Sequence, residues 1–145
     1  MKIKHTRDNL SPVYQQSLRI RHAVFVKEQQ VPLTLEIDQN EAYCIHFVLF
    51  DDADTPIATL RILPDKSGKQ ALIQRVATLQ PYRGNGYAFD HMTEALSFLT
   101  RQQFELVELH AQLKAIPFYE KLGFTPFGDE FLDADIKHLA MKKTV

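Results

Sequence analysis

The chain is poor in the residues that staple, charge or anchor a protein. It has one cysteine, Cys44, so no internal disulfide can form, which suits a reducing cytoplasm. Cys44 lies in an apolar stretch and reads as a buried structural thiol rather than a nucleophile. Neither charge sign dominates: 17 basic and 18 acidic residues leave a formal charge of -1, with no basic block and no acidic tail. Binding of nucleic acid through bulk charge is therefore not expected. No apolar run approaches the roughly 18 residues of a membrane span, and Met1–Asn9 has no apolar core of the kind a signal peptide needs. His, Asp and Glu show no metal-ligand spacing such as His-Glu-x-x-His, so no metal is expected. Glycine is scarce too, at five residues, yet Gly84 and Gly86 stand together in one short loop.

What is present is enough for one core. The 145 residues are 45% hydrophobic, and residues 1–145 read as a single domain without linker, repeat or low-complexity segment. Lys2–Thr6 reads as a short first strand. Ser11-Pro12 is a helix start, with serine as N-cap and proline in the first turn. Tyr14, Leu18, Arg21 and Phe25 continue it at helical spacing to about Glu28 or Gln29, before Val31-Pro32. Residues 32–41 are an acidic loop or a short second helix. Tyr43–Phe50, Pro56–Leu63 and Gln70–Leu79 read as a three-strand meander. A helix follows from about Gly86 to Arg101, with Ala88, Met92, Ala95 and Leu99 on one face. Phe104–Ala111 is a strand, Ala115–Leu122 a short helix with Gly123 after it, and Phe124–Phe127 and Ile136–Lys142 are closing strands. The predicted class is α+β, with a mixed, mainly antiparallel sheet flanked by helices. Its one parallel crossover lies around Gly86.

The loop Gln80-Pro-Tyr-Arg-Gly-Asn-Gly-Tyr-Ala88 joins a β-branched run to an amphipathic one. Glycines at a strand-to-helix turn let backbone N–H groups approach an oxygen-rich ligand, and the helix dipole adds partial positive charge there. Phosphate is the natural guest, and Arg83 adds a planar donor fork. The loop lacks the Lys-Ser/Thr pair of a Walker A loop and the three glycines of a dinucleotide fold. It fits Gln/Arg-x-x-Gly-x-Gly/Ala through Arg83, Gly86 and Ala88, and so resembles the pyrophosphate loop of the GNAT N-acetyltransferases. A second stretch, Gln112-Leu-Lys-Ala-Ile-Pro-Phe-Tyr-Glu-Lys-Leu-Gly-Phe124, resembles the family's Asn-x-x-Ala-x-x-Phe-Tyr-x-x-x-Gly-Phe signature, with Gln112 in place of the usual Asn. Arg21–Pro32, Glu36, Asp38, His46-Phe47 and the ending Ile136-x-His138-x-x-Met141 are similar to the ElaA/YjcF-like branch.

The resemblance implies the GNAT fold, with a splayed pair of central strands, 70–79 and 104–111, and acetyl-CoA as co-substrate. Backbone groups of Val76 and Ala77 would hold the pantetheine arm like an added strand, with Gln112 nearby. The Val76 N–H would also polarise the thioester carbonyl. The N–H groups of Gly84, Asn85, Gly86, Tyr87 and Ala88, with Arg83, would hold the pyrophosphate. Tyr119 would protonate the leaving thiolate while an amine attacks directly. Many relatives place a carboxylate base on the strand before the loop, where this chain has Gln74. Glu36, Glu41, His46, Glu108 and His110 are the alternatives. His110 has the best position, with a structural hydrogen bond as its other reading and a water chain as another route. Arg21, Glu28 and Gln29 form either a buried polar cluster at the acceptor pocket or an ordinary helix salt bridge.

The expected function is transfer of an acetyl group to a primary amine of a small molecule or an amino terminus. The partner is thus an amine substrate, with neither nucleic acid nor membrane, and a homodimer is compatible with the reading. The alternatives are an acyl-CoA-binding sensor without turnover and an acyl-homoserine-lactone synthase, which shares an Arg-x-x-x-Phe start. The acids Glu28, Glu36, Asp38 and Glu41 would favour a cationic amine such as a polyamine, amino sugar or peptide amine.

Overall fold

A computed structural model describes all of residues 1–145. Seven strands form one sheet: β1 (Lys2–Thr6), β2 (Ile45–Phe50), β3 (Pro56–Pro64), β4 (Gln70–Thr78), β5 (Leu106–Gln112), β6 (Thr125–Asp133) and β7 (Ile136–Thr144). The spatial order is β1-β2-β3-β4-β5-β7-β6, and the sole parallel pair is β4 with β5. That crossover is made by α3 (Tyr87–Arg101), as the apolar face of the 86–101 segment predicts. Met92, Ala95 and Leu99 of α3 are fully buried against Phe47, Leu60, Ile62, Ile73, Val107 and Leu109. The other face is covered by α1 (Pro12–Arg21), which packs Ile20, together with Val24 just beyond it, on Val48, Phe50 and Ala77. With helices on both faces, β2 has no solvent side, which is why Ile45–Phe50 is an almost unbroken apolar run.

Ser11 caps α1 as its sequence predicts, its Oγ accepting from the Val13 N–H at 3.2 Å. The helix does not run on as a regular α-helix to Glu28. Residues His22–Glu28 widen into a π-helical segment that ends with the Gln29 N–H on the Val24 carbonyl. Such widened turns gather at functional sites, and this one delivers Glu28 and Gln29 to the cleft described below. The acidic stretch contains a one-turn α2 (Leu33–Glu36). α4 (Ile116–Lys121) carries Pro117 in its first turn and ends at Gly123, with φ 95°.

The last hairpin is longer than the sequence predicts, because β6 runs to Asp133 rather than stopping at Phe127. Gly128, with φ 77°, is a bulge within the strand rather than its end. The turn itself is Ala134-Asp135, both at positive φ, where no glycine or asparagine signals it. Cys44 is buried just before β2, as expected of a structural thiol, and burial pushes its pKa up to about 11.

Two arginines lie wholly inside the protein. Arg21 on α1 donates to both Glu41 carboxylate oxygens, at 2.7 and 3.1 Å, and pairs with the Glu36 carboxylate. Arg61 on β3 pairs with Glu41 and with Asp38 at 2.9 Å, and donates to Gln74 Oε1 at 2.9 and 3.1 Å. The Tyr14 hydroxyl donates to Glu41 at 2.6 Å. Residues 36–41 are thereby fixed to α1 on one side and to β3 and β4 on the other. The expected Arg21–Glu28 pairing does not form, since Arg21 turns inward to Glu36 and Glu41.

Glu41 has a consequence for acid stability. Burial raises its pKa, but hydrogen bonds from Arg21 and Tyr14 and the charges of Arg21 and Arg61 outweigh that and hold it at about 2, against an ordinary 4.5. A depressed carboxylate stabilises the fold above its unfolded pKa, and that stability is lost as pH falls toward the folded one. The group contributes roughly 3 kcal/mol at neutral pH. Urea denaturation should therefore show stability falling between about pH 5 and pH 2, and Glu41→Gln should be less stable at pH 7 but flatter across that window. An equally steep fall in Glu41→Gln would remove the assignment.

Candidate active site

The cleft begins where β4 and β5 stop pairing. Their parallel register runs from Gln70↔Leu106 to Ile73↔Leu109 and ends there, although β4 continues to Thr78 and β5 to Gln112. On its other edge β4 still pairs with β3, but with a slip: Arg61 faces Gln74 and Thr59 faces Ala77, so Arg75 and Val76 together oppose Leu60. Arg75 takes φ 56° to make this bulge. A bulge increases local twist and re-aims side chains, and here it turns β4 away from β5. The gap is a cleft of about 400 Å³. Val76 and Ala77, the residues expected along the pantetheine arm, lie in the unpaired stretch and line it.

One end of the cleft is the glycine loop. Gly84 and Gly86 have φ 82° and 80°, so the left-handed backbone itself calls for glycine, and a Cβ at either would meet only open space. The Asn85 side chain donates to the Tyr82 carbonyl at 3.1 Å and braces the loop from within. No backbone N–H from Gly84 through Phe89 has an acceptor in the chain: six consecutive donors at the start of α3 are free. Gly86, as N-cap, has no side chain to satisfy them. An anion held there would meet hydrogen-bond donors and the positive end of a helix dipole together.

Two side-chain bridges span the cleft from the π-helical segment. Glu28 accepts from Arg83 at 2.7 and 2.8 Å, while Arg83 Nε donates to the Thr78 carbonyl at 2.9 Å. Gln29 accepts from Gln112 Nε2 at 3.1 Å. Glu28 and Gln29 form neither the buried cluster nor the helix salt bridge read for them with Arg21; they tie instead to the ends of the two parted strands. Arg83 is thus beside the loop, as expected, but already fork-paired.

Tyr119 sits on α4 at the cleft wall, with its ring against Phe118 and Phe124. Its hydroxyl makes no hydrogen bond within the chain, and burial raises its pKa. It therefore keeps its proton across the ordinary pH range, as a proton donor must. Of the five base alternatives, Glu41 and His46 are buried outside the cleft, Glu108 does not line it, and Glu36 is engaged by Arg21. His110 does line it, just past the last β4–β5 pair. It is exposed, edge-on to Phe131 at 5.2 Å, and makes no side-chain hydrogen bond. His138 lines the same wall, with Nδ1 on the Ile136 carbonyl at 2.7 Å. Since a carbonyl only accepts, that contact fixes the proton on Nδ1 and leaves Nε2 with its lone pair in the neutral ring.

The expected acidic acceptor wall is not there. Glu36, Asp38 and Glu41 are matched by Arg21, Arg61 and Arg75, and neither Asp38 nor Glu41 lines the cleft. Charges already paired project little field, so the argument for a cationic amine loses its basis. Arg75 went unnoticed in the sequence because an arginine in a strand carries no sign that the strand bulges. No group of three or more His, Cys, Asp and Glu side chains is arranged to hold a metal ion.

Comparison with known proteins bears on the whole of this architecture. The chain is 36% identical over 126 residues to YjcF of Bacillus subtilis (strain 168), described as an uncharacterized N-acetyltransferase, covering 86% of this chain and 87% of that one. Among solved structures, Escherichia coli ElaA superposes with a TM-score of 0.86 at 27% identity, covering 99% of both chains. An acyl-CoA N-acyltransferase from Pseudomonas aeruginosa does so with 0.86 at 26%, again over 99% of both. The family model for GNAT acetyltransferases matches residues 10–124, from the start of α1 to the end of the α4 signature. The chain belongs to the GNAT family of acetyltransferases, in its ElaA/YjcF-like branch.

Proposed function

We propose that the protein is an acetyl-CoA-dependent N-acetyltransferase that acts on a primary amine by direct attack within a ternary complex. The observation that carries this reading is the row of six free N–H groups from Gly84 to Phe89, beside a cleft lined by Arg83, Ala88 and Tyr119, whose hydroxyl has no partner in the chain. The name of the Pseudomonas aeruginosa relative, an acyl-CoA N-acyltransferase, agrees with it.

Acetyl-CoA supplies the activated thioester. The N–H groups of Gly84, Asn85, Gly86, Tyr87 and Ala88 hold the pyrophosphate, with Arg83 beside them. Val76 and Ala77 pair with the pantetheine arm as a neighbouring strand would, which β5 no longer does at that height, and Gln112 flanks the arm. The Val76 N–H polarises the thioester carbonyl. His110 takes a proton from the acceptor ammonium, and the free amine attacks the carbonyl carbon. As the C–N bond forms and the C–S bond breaks, Tyr119 gives its proton to the departing sulfur and regains one from the acylated nitrogen by way of solvent. A coenzyme-binding module without turnover is the other reading, and Tyr119 in the cleft wall, its hydroxyl without a partner in the chain, favours turnover over it.

Three measurements test these roles. Gly86→Asp places a carboxylate among the free N–H groups; calorimetry should show acetyl-CoA affinity falling by about 100-fold or more, with circular dichroism unchanged. Arg83→Ala should lose about 1 kcal/mol of binding, a small value because the wild-type fork already serves Glu28. Wild-type affinity in both variants would overturn the loop assignment. Tyr119→Phe should bind acetyl-CoA normally while kcat falls by about 10²–10⁴-fold; an unchanged kcat with chemistry rate-limiting excludes the acid role. His110→Ala should lower kcat/KM for the amine by about 10²-fold or more and leave acetyl-CoA affinity unchanged. An unchanged kcat/KM there, with the loss seen in His138→Ala instead, moves the base to His138.

A further inference from the structure

The β4 bulge brings two consecutive side chains, Gln74 and Arg75, to the same face of the sheet. In a regular strand they would point to opposite faces. Gln74 pairs across to Arg61 and shares its face, and Arg75 reaches the carbonyls of Leu35 and Glu36 on α2 at 3.0–3.1 Å, beside the same Asp38 that Arg61 holds. Both side chains line the cleft.

Their free atoms are all donors. Arg61 donates twice to Gln74 Oε1, at 2.9 and 3.1 Å. A guanidinium has no acceptor, so the oxygen must be the atom on Arg61 and the Gln74 NH₂ must face away from it. That NH₂ has no partner in the chain and is not sealed from solvent. Arg75 donates from Nε and Nη2, while its Nη1 also lacks a partner and is not sealed off. Its side chain is only 19% exposed, and its carboxylate neighbours lie at 3.5 and 3.7 Å, longer than a good hydrogen bond. Burial and the like charges of Arg61 and Arg21 lower its pKa, and the charges of Glu36 and Asp38 offset this only in part. Of the carboxylates lining the cleft, Glu28 and Glu36 are paired with Arg83 and Arg21, and Asp133 is exposed on the β6–β7 hairpin.

We infer that Gln74 and Arg75 bind a carboxylate of the acceptor, so that the amine acetylated is an amino acid or a close amino-carboxylate analogue. One amide NH₂ and one guanidinium NH₂ match the two oxygens of a planar carboxylate. A phosphate dianion would call for more than one partly committed cation. The position limits the length of the molecule. Gln74 and Arg75 immediately precede Val76, whose N–H is assigned to the thioester carbonyl, and neighbouring Cα atoms are about 3.8 Å apart. A carboxylate held at Gln74 and Arg75 therefore leaves room for only a few atoms before the attacking nitrogen. This inference rests on the acetyl-transfer reading above and specifies its acceptor.

The test compares each of the twenty amino acids with its primary carboxamide, in free-thiol release and in calorimetric titration of the N-acetylated pair into the protein saturated with coenzyme A. The best carboxylate should exceed its carboxamide by about tenfold or more in kcat/KM and in affinity. Gln74→Glu keeps the acceptor that Arg61 needs but replaces the NH₂ with an oxygen. It should cut the carboxylate-to-carboxamide ratio by about 10- to 100-fold and leave coenzyme A affinity unchanged. The ratio is read because a new carboxylate could itself alter overall rate. Carboxamides that match the carboxylates, no carboxylate bound in either assay, or an unaltered ratio in Gln74→Glu overturns the inference. Acetylation of other amines in that event leaves acetyl transfer standing, whereas loss of coenzyme A binding in the wild type removes the reading beneath it.

Discussion

The structure turns on one broken ladder: β4 and β5 are paired through Ile73 and Leu109 and unpaired beyond. A sheet interior normally leaves no backbone group without a partner, because an unmet buried N–H or C=O costs about as much as a lost hydrogen bond. Here the pairing is given up in the middle of a seven-stranded sheet. The groups left over are supplied by solvent, or by a ligand that behaves as a strand. The cleft is therefore a consequence of strand divergence, and the divergence follows from the extra residue at Arg75. The free N–H groups at the start of α3 are the same kind of deficit at the other end of the same space. Both favour a long ligand with amides along its middle and an anion at its end.

Holding β4 in that shape falls to the buried charges. Replacing a buried ion pair by apolar residues is often neutral or stabilising, whereas deleting one partner is costly, so such a cluster is poor evidence of stability for its own sake. Its geometry here does something an apolar cluster could not. Glu41 joins Arg21 on α1 to Arg61 on β3, Asp38 joins Arg61 to Arg75, and the Arg61 fork sets the orientation of the Gln74 amide. Directional bonds fix atoms that dispersion would leave free to slide. The bulge, the α2 turn and the Gln74–Arg75 part of the cleft are thus one unit, and its weakness is acid, which protonates the carboxylates that hold it.

Much of this was legible in the chain. The central strands were located by their apolar patterns, β6 only over its first residues, the crossover by the glycine loop, and the α4 wall by Pro117, Tyr119 and Gly123. Local signals sufficed there because each element's own residues fix it. What was not legible is what depends on pairing at a distance. Arg75 gives no local sign of positive φ, and the Ala134-Asp135 turn contains neither of the residues that announce one. The acids at 28–41 read as a negative surface because a sequence shows charges without their partners. Glu36 and Glu41 sit 15 and 20 residues from Arg21 in the chain and within hydrogen-bond reach of it in space. Gln74 read as a missing base; only the contact with Arg61 shows it to be a donor.

That last change alters how the chemistry divides across the cleft. With a carboxylate at position 74, the β4 wall would both accept a proton and repel an anionic acceptor. With Gln74 held by Arg61, the β4 wall presents the Gln74 amide and the Arg75 guanidinium, both donors. Groups with lone pairs, the imidazoles of His110 and His138, stand on β5 and β7. An amino-carboxylate is polar in the same sense, with its negative end seeking donors and its ammonium seeking a proton acceptor. Such a molecule would align with its nitrogen toward the β5 side and its carboxylate on the bulge. A glutamine where many relatives carry a carboxylate would thus sort the two walls by polarity, and orientation of an amino-carboxylate acceptor would follow from that sorting.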